Sequence, residues 1–211
     1  RTNGVIAITV REGDELLDAI MTNGQSEILL AGRNGRCCRF DETDARALGR
    51  TASGVRGINI DDDDEVVGMI AYDPAAEDAA AHSLLVVSEN GYGKRSDFDE
   101  YRKTSRGGKG VKTLNITEKT GSLVAMKNVT DENDLMIINR SGITIRMAVA
   151  DIKVAGRATQ GVRLINIKDG DSIAAISAVN KSEDAETPAV AEAPAELAEQ
   201  APSQDAETSN E

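Results

Sequence analysis

Three copies of one pattern, about fifty residues apart, constrain this 211-residue chain more than any other feature. EILLAGRNGRCCRFDETDARALGRTASGVRGINI starts at Glu27, SLLVVSENGYGKRSDFDEYRKTSRGGKGVKTLNI at Ser83 and DLMIINRSGITIRMAVADIKVAGRATQGVRLINI at Asp134. Gly35, Gly91 and Gly142 align, and so do Gly54, Gly110 and Gly161, each 19 residues later. Arg39, Arg95 and Arg146 coincide, as do Arg50, Arg106 and Arg157, and the acids Asp44, Glu100 and Asp151. The copies are offset by 56 and then 51 residues, the extra five falling in DPAAEDAAAH at 73–82. The opening stretch NGVIAITVREGDELLDAI matches only the back half of the pattern, with Gly4 on Gly54 and Ile8 on Ile58. A repeat of this length is one supersecondary unit that must stack on its neighbours to bury a core.

Each copy reads as four short strands. In the first, residues 28–31 are a buried apolar run and Asn34-Gly35 is a hairpin turn, since both residues tolerate positive φ. Residues 36–40 return, and a longer connection follows. Residues 54–60 alternate apolar and polar, with Val55, Ile58 and Ile60 as core candidates; DDDDE at 61–65 is a solvated turn, and residues 66–71 close the unit. No helical period of useful length appears before residue 182. The expected fold is therefore all-β, a propeller-like array of four-stranded antiparallel blades. The expected organisation is the end of an incomplete blade over 1–22, blades over 23–74, 75–131 and 132–181, and a disordered acidic tail over 182–211. Aromatic residues make up 2% of the chain and Trp is absent, so the cores fall to Val, Ile, Leu and Ala.

The net charge of -12 is unevenly placed. Nine acids and no base lie in 182–211, whereas all 24 Lys and Arg lie before residue 182, against 27 acids there. The body is close to balanced and can still present a basic face. The tail has almost no large apolar residue to offset its chain entropy. No stretch approaches the roughly 18 apolar residues of a membrane span. The two adjacent cysteines, Cys37 and Cys38, read as strand residues facing opposite ways in a reducing compartment, and His82, the single His, leaves them without metal-site partners. The chain begins at Arg1 in mid-pattern, which reads as a fragment or a processed piece.

RGGKG at 106–110 suggests a phosphate loop, but a Walker A loop needs Gly, four residues, then Gly-Lys-[Ser/Thr]. Here Lys103 stands where the first Gly belongs and Gly110 follows Lys109; GYGKRS fails likewise, with Ser88 and Arg95 at those places. No carboxylate pair or metal-ligand spacing supports catalysis, so no catalytic or metal residue is assigned.

GRTASGVRGINI, ENGYGKRSDFDEY, SRGGKGV and GRATQGVRLINI resemble the C-terminal domain of the A chain of DNA gyrase, over residues 1–180. The resemblance implies a β-pinwheel, in which neighbouring blades exchange a strand, with about six blades of which this chain would hold the last three and a fraction. It implies that duplex DNA wraps on the outer rim with positive handedness and is presented for strand passage and negative supercoiling by an enzyme of two A and two B subunits. The implied partners are duplex DNA, the gyrase B subunit and a second A subunit, with no membrane, in the bacterial cytoplasm and nucleoid. The family's basic Gly-rich box lies in an earlier blade and SRGGKGV is only its counterpart. The DNA-cleaving Tyr lies upstream and ATP hydrolysis belongs to the B subunit, so this chain would be non-catalytic and without cofactor, ATP and Mg2+ serving other parts. Topoisomerase IV's corresponding domain, which would position DNA without a full wrap, and a propeller-like protein scaffold are the alternatives. Acidic tails in the family modulate wrapping, so the tail is expected to compete with DNA or to be inert.

Duplex binding needs cations spaced along the phosphate backbone, with N–H groups of Gly-rich turns. The repeat offers Arg36 and Arg39, Lys94 and Arg95, and Arg146 after the hairpin turn. Arg46, Arg102 with Lys103, and Lys153 lie on the long connection. Arg50, Arg106 with Lys109, and Arg157 precede the third strand, which opens with Arg56, Lys112 and Arg163. Gly35, Gly54, Gly91, Gly110, Gly142 and Gly161 read as structural turns. Because Arg50, Arg106 and Arg157 each follow an acid by six residues, an ion pair within the blade stands as an alternative to DNA contact. The non-repeated cations Arg36, Lys94, Arg102, Lys103 and Lys109 are the better candidates for contact. The second unit is the most basic, with nine Lys or Arg between Lys94 and Lys127.

Overall fold

A computed structural model of the chain describes residues 4–181; the tail expected to be disordered, 182–211, lies outside the described residues. The described chain is all-β, a β-pinwheel of three sheets, with a short 3-10 turn after the hairpin of each. In the first, β1 (Glu27–Gly32) and β2 (Arg36–Asp41) form the hairpin, and β3 (Val66–Tyr72) pairs on the far side of β1. In the second, β4 (Ser83–Ser88), β5 (Tyr92–Ser96) and β7 (Leu123–Val129) repeat that arrangement. In the third it is repeated by β8 (Asn133–Asn139), β9 (Thr144–Ala148) and β11 (Ile173–Asn180).

The fourth strand of each complete sheet comes from the next unit. β6 (Val111–Lys112), carried by the second repeat, pairs antiparallel with β2 of the first, placing Lys112 opposite Arg36 and Val111 opposite Cys37. β10 (Val162–Arg163), from the third repeat, pairs with β5 of the second. The sheet orders are therefore β3-β1-β2-β6, β10-β5-β4-β7 and, with three strands among the described residues, β11-β8-β9. This corrects the expectation of four strands within each copy: residues 54–60 form no strand, and Val55 is exposed rather than core. Ile58 is buried and Ile60 packs beside it, as expected. Residues 4–23 also carry no strand.

Two cores lie between the sheets. Leu29, Ala31, Cys37 and Ile70 of the first sheet meet Leu84, Val86, Leu123 and Met126 of the second. Leu85, Val87 and Val129 face the third sheet's Leu135, Ile137 and Ile173. β4 thus sends alternate side chains into both cores, which is why SLLVVS is buried at every position and reads as an unbroken apolar run. The cysteines divide in the same way, Cys37 into the core between sheets and Cys38 into a smaller cluster with Phe40 and Ile58; both thiols are free. Burial pushes the Cys37 thiol up, which makes it a packing residue and not a nucleophile.

The repeated glycines serve this exchange. Gly110 has φ +69, and a Cβ there would lie 2.4 Å from the Cys37 carbonyl oxygen; Gly161 repeats this against Gly93. The entering strand passes too close to the preceding sheet for any side chain. Gly54 and Gly142 also have positive φ, but nothing among the described residues comes within 4 Å of a Cβ there, since neither has the facing strand of a neighbouring repeat against it.

Buried cations tie successive units together. Arg39 pairs with Glu27 inside the protein, and its guanidinium donates to the carbonyls of Phe98 and Tyr101 at the next unit's 3-10 turn. Arg95 repeats the strut, donating to Ile152 O at 2.9 Å and Ala150 O at 3.3 Å and pairing with Asp131. Arg146 has no following unit to reach among the described residues, and it pairs across its own hairpin with Asp134 at 2.6 Å. Lys94 is fully buried, donating to Ser96 Oγ at 2.9 Å and to Arg157 O at 3.0 Å. Desolvation brings its ammonium down to about 8, against the opposing attraction of Glu100.

Two outcomes follow. Arg39→Ala leaves two buried carbonyls without their donor and Glu27 with only Lys103, and costs about 3 kcal/mol in urea unfolding, whereas Arg146→Ala, at a partly exposed pair that ties only its own hairpin, costs about 1 kcal/mol. The lowered folded value of Lys94 means that from about pH 8 to 10.5 the unfolded state holds more protons than the folded one, so stability rises with pH across that window. Measured against Lys94→Met, wild type gains on the order of 2–3 kcal/mol between about pH 7 and 10.5, and a flat difference contradicts the burial account.

Candidate nucleic-acid interface

The expected contact residues divide into cations used by the fold and cations left on the surface. Arg39, Lys94 and Arg95 are buried, so they cannot meet a phosphate, and their place on the expected contact surface is corrected: they are struts. Lys103 is half exposed but held by Glu27 and Asp41, each at 3.1 Å, which raises its own pKa; Asp41 is held down to about 2 by the Thr43 hydroxyl and amide and by Lys103. Arg146 is committed to Asp134.

Arg50, Arg106 and Arg157 resolve differently from both alternatives. Arg50 donates to Ile6 O, Arg106 to Arg56 O and Arg157 to Lys112 O, the same repeat position of the preceding unit each time. The acids are matched to them between units, not within one: Asp44 accepts from the Arg106 backbone amide at 3.3 Å and Glu100 from that of Arg157 at 2.6 Å. The alternative of an ion pair within each blade is thus replaced by a backbone cap across blades, and Arg106 and Arg157 hold the entries of the two exchanged strands. RGGKG is that entry in the second unit. Its Gly107 N–H is taken by Gly57 O at 2.7 Å, and the Gly108 carbonyl accepts from Asn59 N at 2.9 Å, so the turn packs on the first unit rather than offering all its amides outward.

The cations that remain outward are Arg36, Arg46, Arg56, Arg102, Lys109, Lys112, Lys153 and Arg163, all exposed and without an acidic side chain in ion-pair range among the described residues. Three of them are aimed by one device. Arg56 Nη1 donates to Asn59 Oδ1 at 3.3 Å, Lys112 Nζ to Asn115 Oδ1 at 3.2 Å and Arg163 Nη1 to Asn166 Oδ1 at 3.1 Å. A neutral acceptor three residues on orients the cation without cancelling its charge. The sequence carried this signal as the recurring cation-x-x-Asn of VRGINI, VKTLNI and VRLINI, which its reading as alternating core residues passed over.

At the first strand exchange Arg36 sits opposite Lys112, and Arg36 Nη1 donates to Gly110 O at 3.2 Å. At the second, Arg163 lies opposite Tyr92, whose hydroxyl accepts from it at 2.7 Å, and Lys119 stands 5.3 Å above the Tyr92 ring. Lys119 was not singled out from the sequence, where it lies past the third-strand motif, although like the favoured candidates it has no basic counterpart in the other copies. A polar cleft of about 350 Å³ opens there, lined by Tyr92, Lys119, Arg163 and Lys168 with Asp169 and Asp171. Among the described residues no group of three His, Cys, Asp or Glu side chains is gathered as for a metal, and no helix is long and apolar enough to cross a membrane.

Comparison with known proteins places this geometry. The family model for the DNA gyrase C-terminal domain, beta-propeller, matches residues 1–23, 26–73, 82–130 and 133–180. The DNA gyrase A chain of Staphylococcus epidermidis is 46% identical over 182 residues, covering 86% of this chain and 20% of that protein. That of Staphylococcus aureus is 46% identical over 184 residues, covering 87% and 20%. The chain therefore spans about a fifth of the length of these relatives. The crystal structure of the C-terminal domain of DNA topoisomerase IV superposes with a TM-score of 0.75 at 21% identity, over 82% of this chain and 53% of that one. The DNA gyrase A C-terminal domain does so with a TM-score of 0.74 at 24% identity, over 84% and 58%. Both structures share the fold, and the sequence match decides between them: the chain belongs to the DNA gyrase C-terminal domain family.

Proposed function

We propose that this chain is the duplex-DNA-binding and wrapping module of a gyrase A chain. The observation that carries this reading is the outward cation that recurs at one position of each unit, Arg56, Lys112 and Arg163, on the exchanged strand in the last two, oriented by an Asn and with no carboxylate in ion-pair range among the described residues. Cations repeated at the interval of the units suit a phosphate backbone bent over successive blades, where affinity comes from charge and deformability rather than base readout. A scaffold that binds protein alone gives no reason to keep these cations uncompensated while their neighbours are paired.

In the whole protein, the module would present the wrapped segment for ATP-dependent strand passage, working with the gyrase B subunit and a second A subunit. ATP, Mg2+ and the DNA-cleaving Tyr would belong to other parts, and the bacterial cytoplasm and nucleoid would be the setting. This chain would itself carry no cofactor and no catalytic residue. The acidic tail would compete with DNA for the basic surface as a tethered polyanion.

Fluorescence anisotropy of a labelled duplex of about 40 base pairs over a salt series tests the reading. Binding weakens steeply with salt, and replacing Lys109, Lys112 and Arg163 together by Ala lowers the slope of log K against log salt by about 0.9 for each phosphate no longer neutralised. Arg46→Ala and Arg102→Ala report whether the long connection shares the track, and removal of 182–211 tightens binding. No binding at low salt by the folded chain overturns the proposal.

A further inference from the structure

The strand exchange between the first and second units contains a like-charge pair. Arg36 on β2 and Lys112 on β6 are directly opposite in antiparallel register. Such partners share a face with Cβ atoms about 4.5–5.5 Å apart, and like charges placed so are destabilising. Neither has a carboxylate in ion-pair range among the described residues, and Lys109, also exposed, lies next to the Gly110 whose carbonyl Arg36 holds. The seam is also thin, because β6 is two residues long. The equivalent pair at the second exchange is attractive instead, Arg163 donating to the hydroxyl of Tyr92. The repulsion is therefore specific to one seam and not a requirement of the fold.

We propose that the Arg36–Lys112 pair, with Lys109, is a phosphate-gated clasp. A duplex phosphate seated between the two cations replaces their repulsion with shared attraction and tightens β6 onto β2. Binding of DNA and docking of the second unit on the first are then coupled, and the coupling is reciprocal: whatever loosens the seam weakens DNA binding, and DNA closes the seam. This rests on the DNA-binding reading above and adds to it a regulatory role for one seam. It also gives a reason for Arg36 to hold the Gly110 carbonyl, since that bond keeps one cation at the crossing when no anion is present.

Hydrogen exchange followed by mass spectrometry, on segments 36–38 and 110–113 of the full chain, tests the clasp. Without DNA, wild type exchanges there more slowly as salt is raised, because screening relieves repulsion, while R36E exchanges about threefold more slowly than wild type at low salt and speeds up as salt is raised. With the same duplex at saturation, confirmed by anisotropy, these segments become protected in wild type, and R36E loses that added protection. K112E makes the same charge reversal from the other strand and carries the test if R36E does not fold. Binding of the duplex by wild type with no slowing of exchange in either variant, and with the ordinary salt response at this seam, overturns the clasp and leaves the DNA reading standing. Absence of duplex binding by wild type overturns both.

Discussion

Each unit of this protein is incomplete by one strand, and the next unit supplies it. That exchange sets most of what is unusual in the sequence. A strand entering a foreign sheet brings a backbone within 2.4 Å of where a side chain would stand, so Gly110 and Gly161 are required at the crossing. The entry turns need their carbonyls and amides satisfied, and Arg106, Arg157, Asp44 and Glu100 do that across units. Arg39 and Arg95 reach the following 3-10 turn through the interior and fix its distance. Each tie joins neighbours in sequence, so the array is held unit to unit, with the two apolar cores as the filling between sheets.

The same architecture separates two classes of cation that look alike in the sequence. A cation pointing along the seam is buried and must find carbonyls or a carboxylate, as Arg39, Lys94 and Arg95 do. The outward cation at 56, 112 and 163 is left charged and solvated, steadied by an Asn that takes a hydrogen bond and adds no negative charge. A near-balanced body of 24 bases can in this way carry a basic track without an overall positive charge.

Much of the fold was legible in the sequence. The repeat, the hairpins at Asn34-Gly35, the all-β class and the two-sided burial of the cysteines follow from spacing, from turn residues with positive φ and from alternation. The register between units was not, since two-residue strands such as β6 and β10 carry too few positions for a period to show. The site was only partly legible. Recurrence picked out Arg39 and Arg95 as readily as Arg56, Lys112 and Arg163, yet it marked a strut at 39 and 95 and an outward cation at 56, 112 and 163. Lys94, chosen because it does not recur, proved the most buried cation among the described residues, because blade two fills with an ammonium the slot that Cys38 fills in blade one. Burial on both faces of a blade defeats any rule based on strand alternation alone.

The division between struts and track is tested most directly by lysine acetylation footprinting with and without bound duplex. The account predicts that DNA shields Lys109 and Lys112, leaves Lys103 as it was because Glu27 and Asp41 already hold it, and changes nothing at Lys94, which stays unreactive in both states. Shielding spread evenly over all exposed lysines, or confined to lysines away from the exchanged strands, contradicts it.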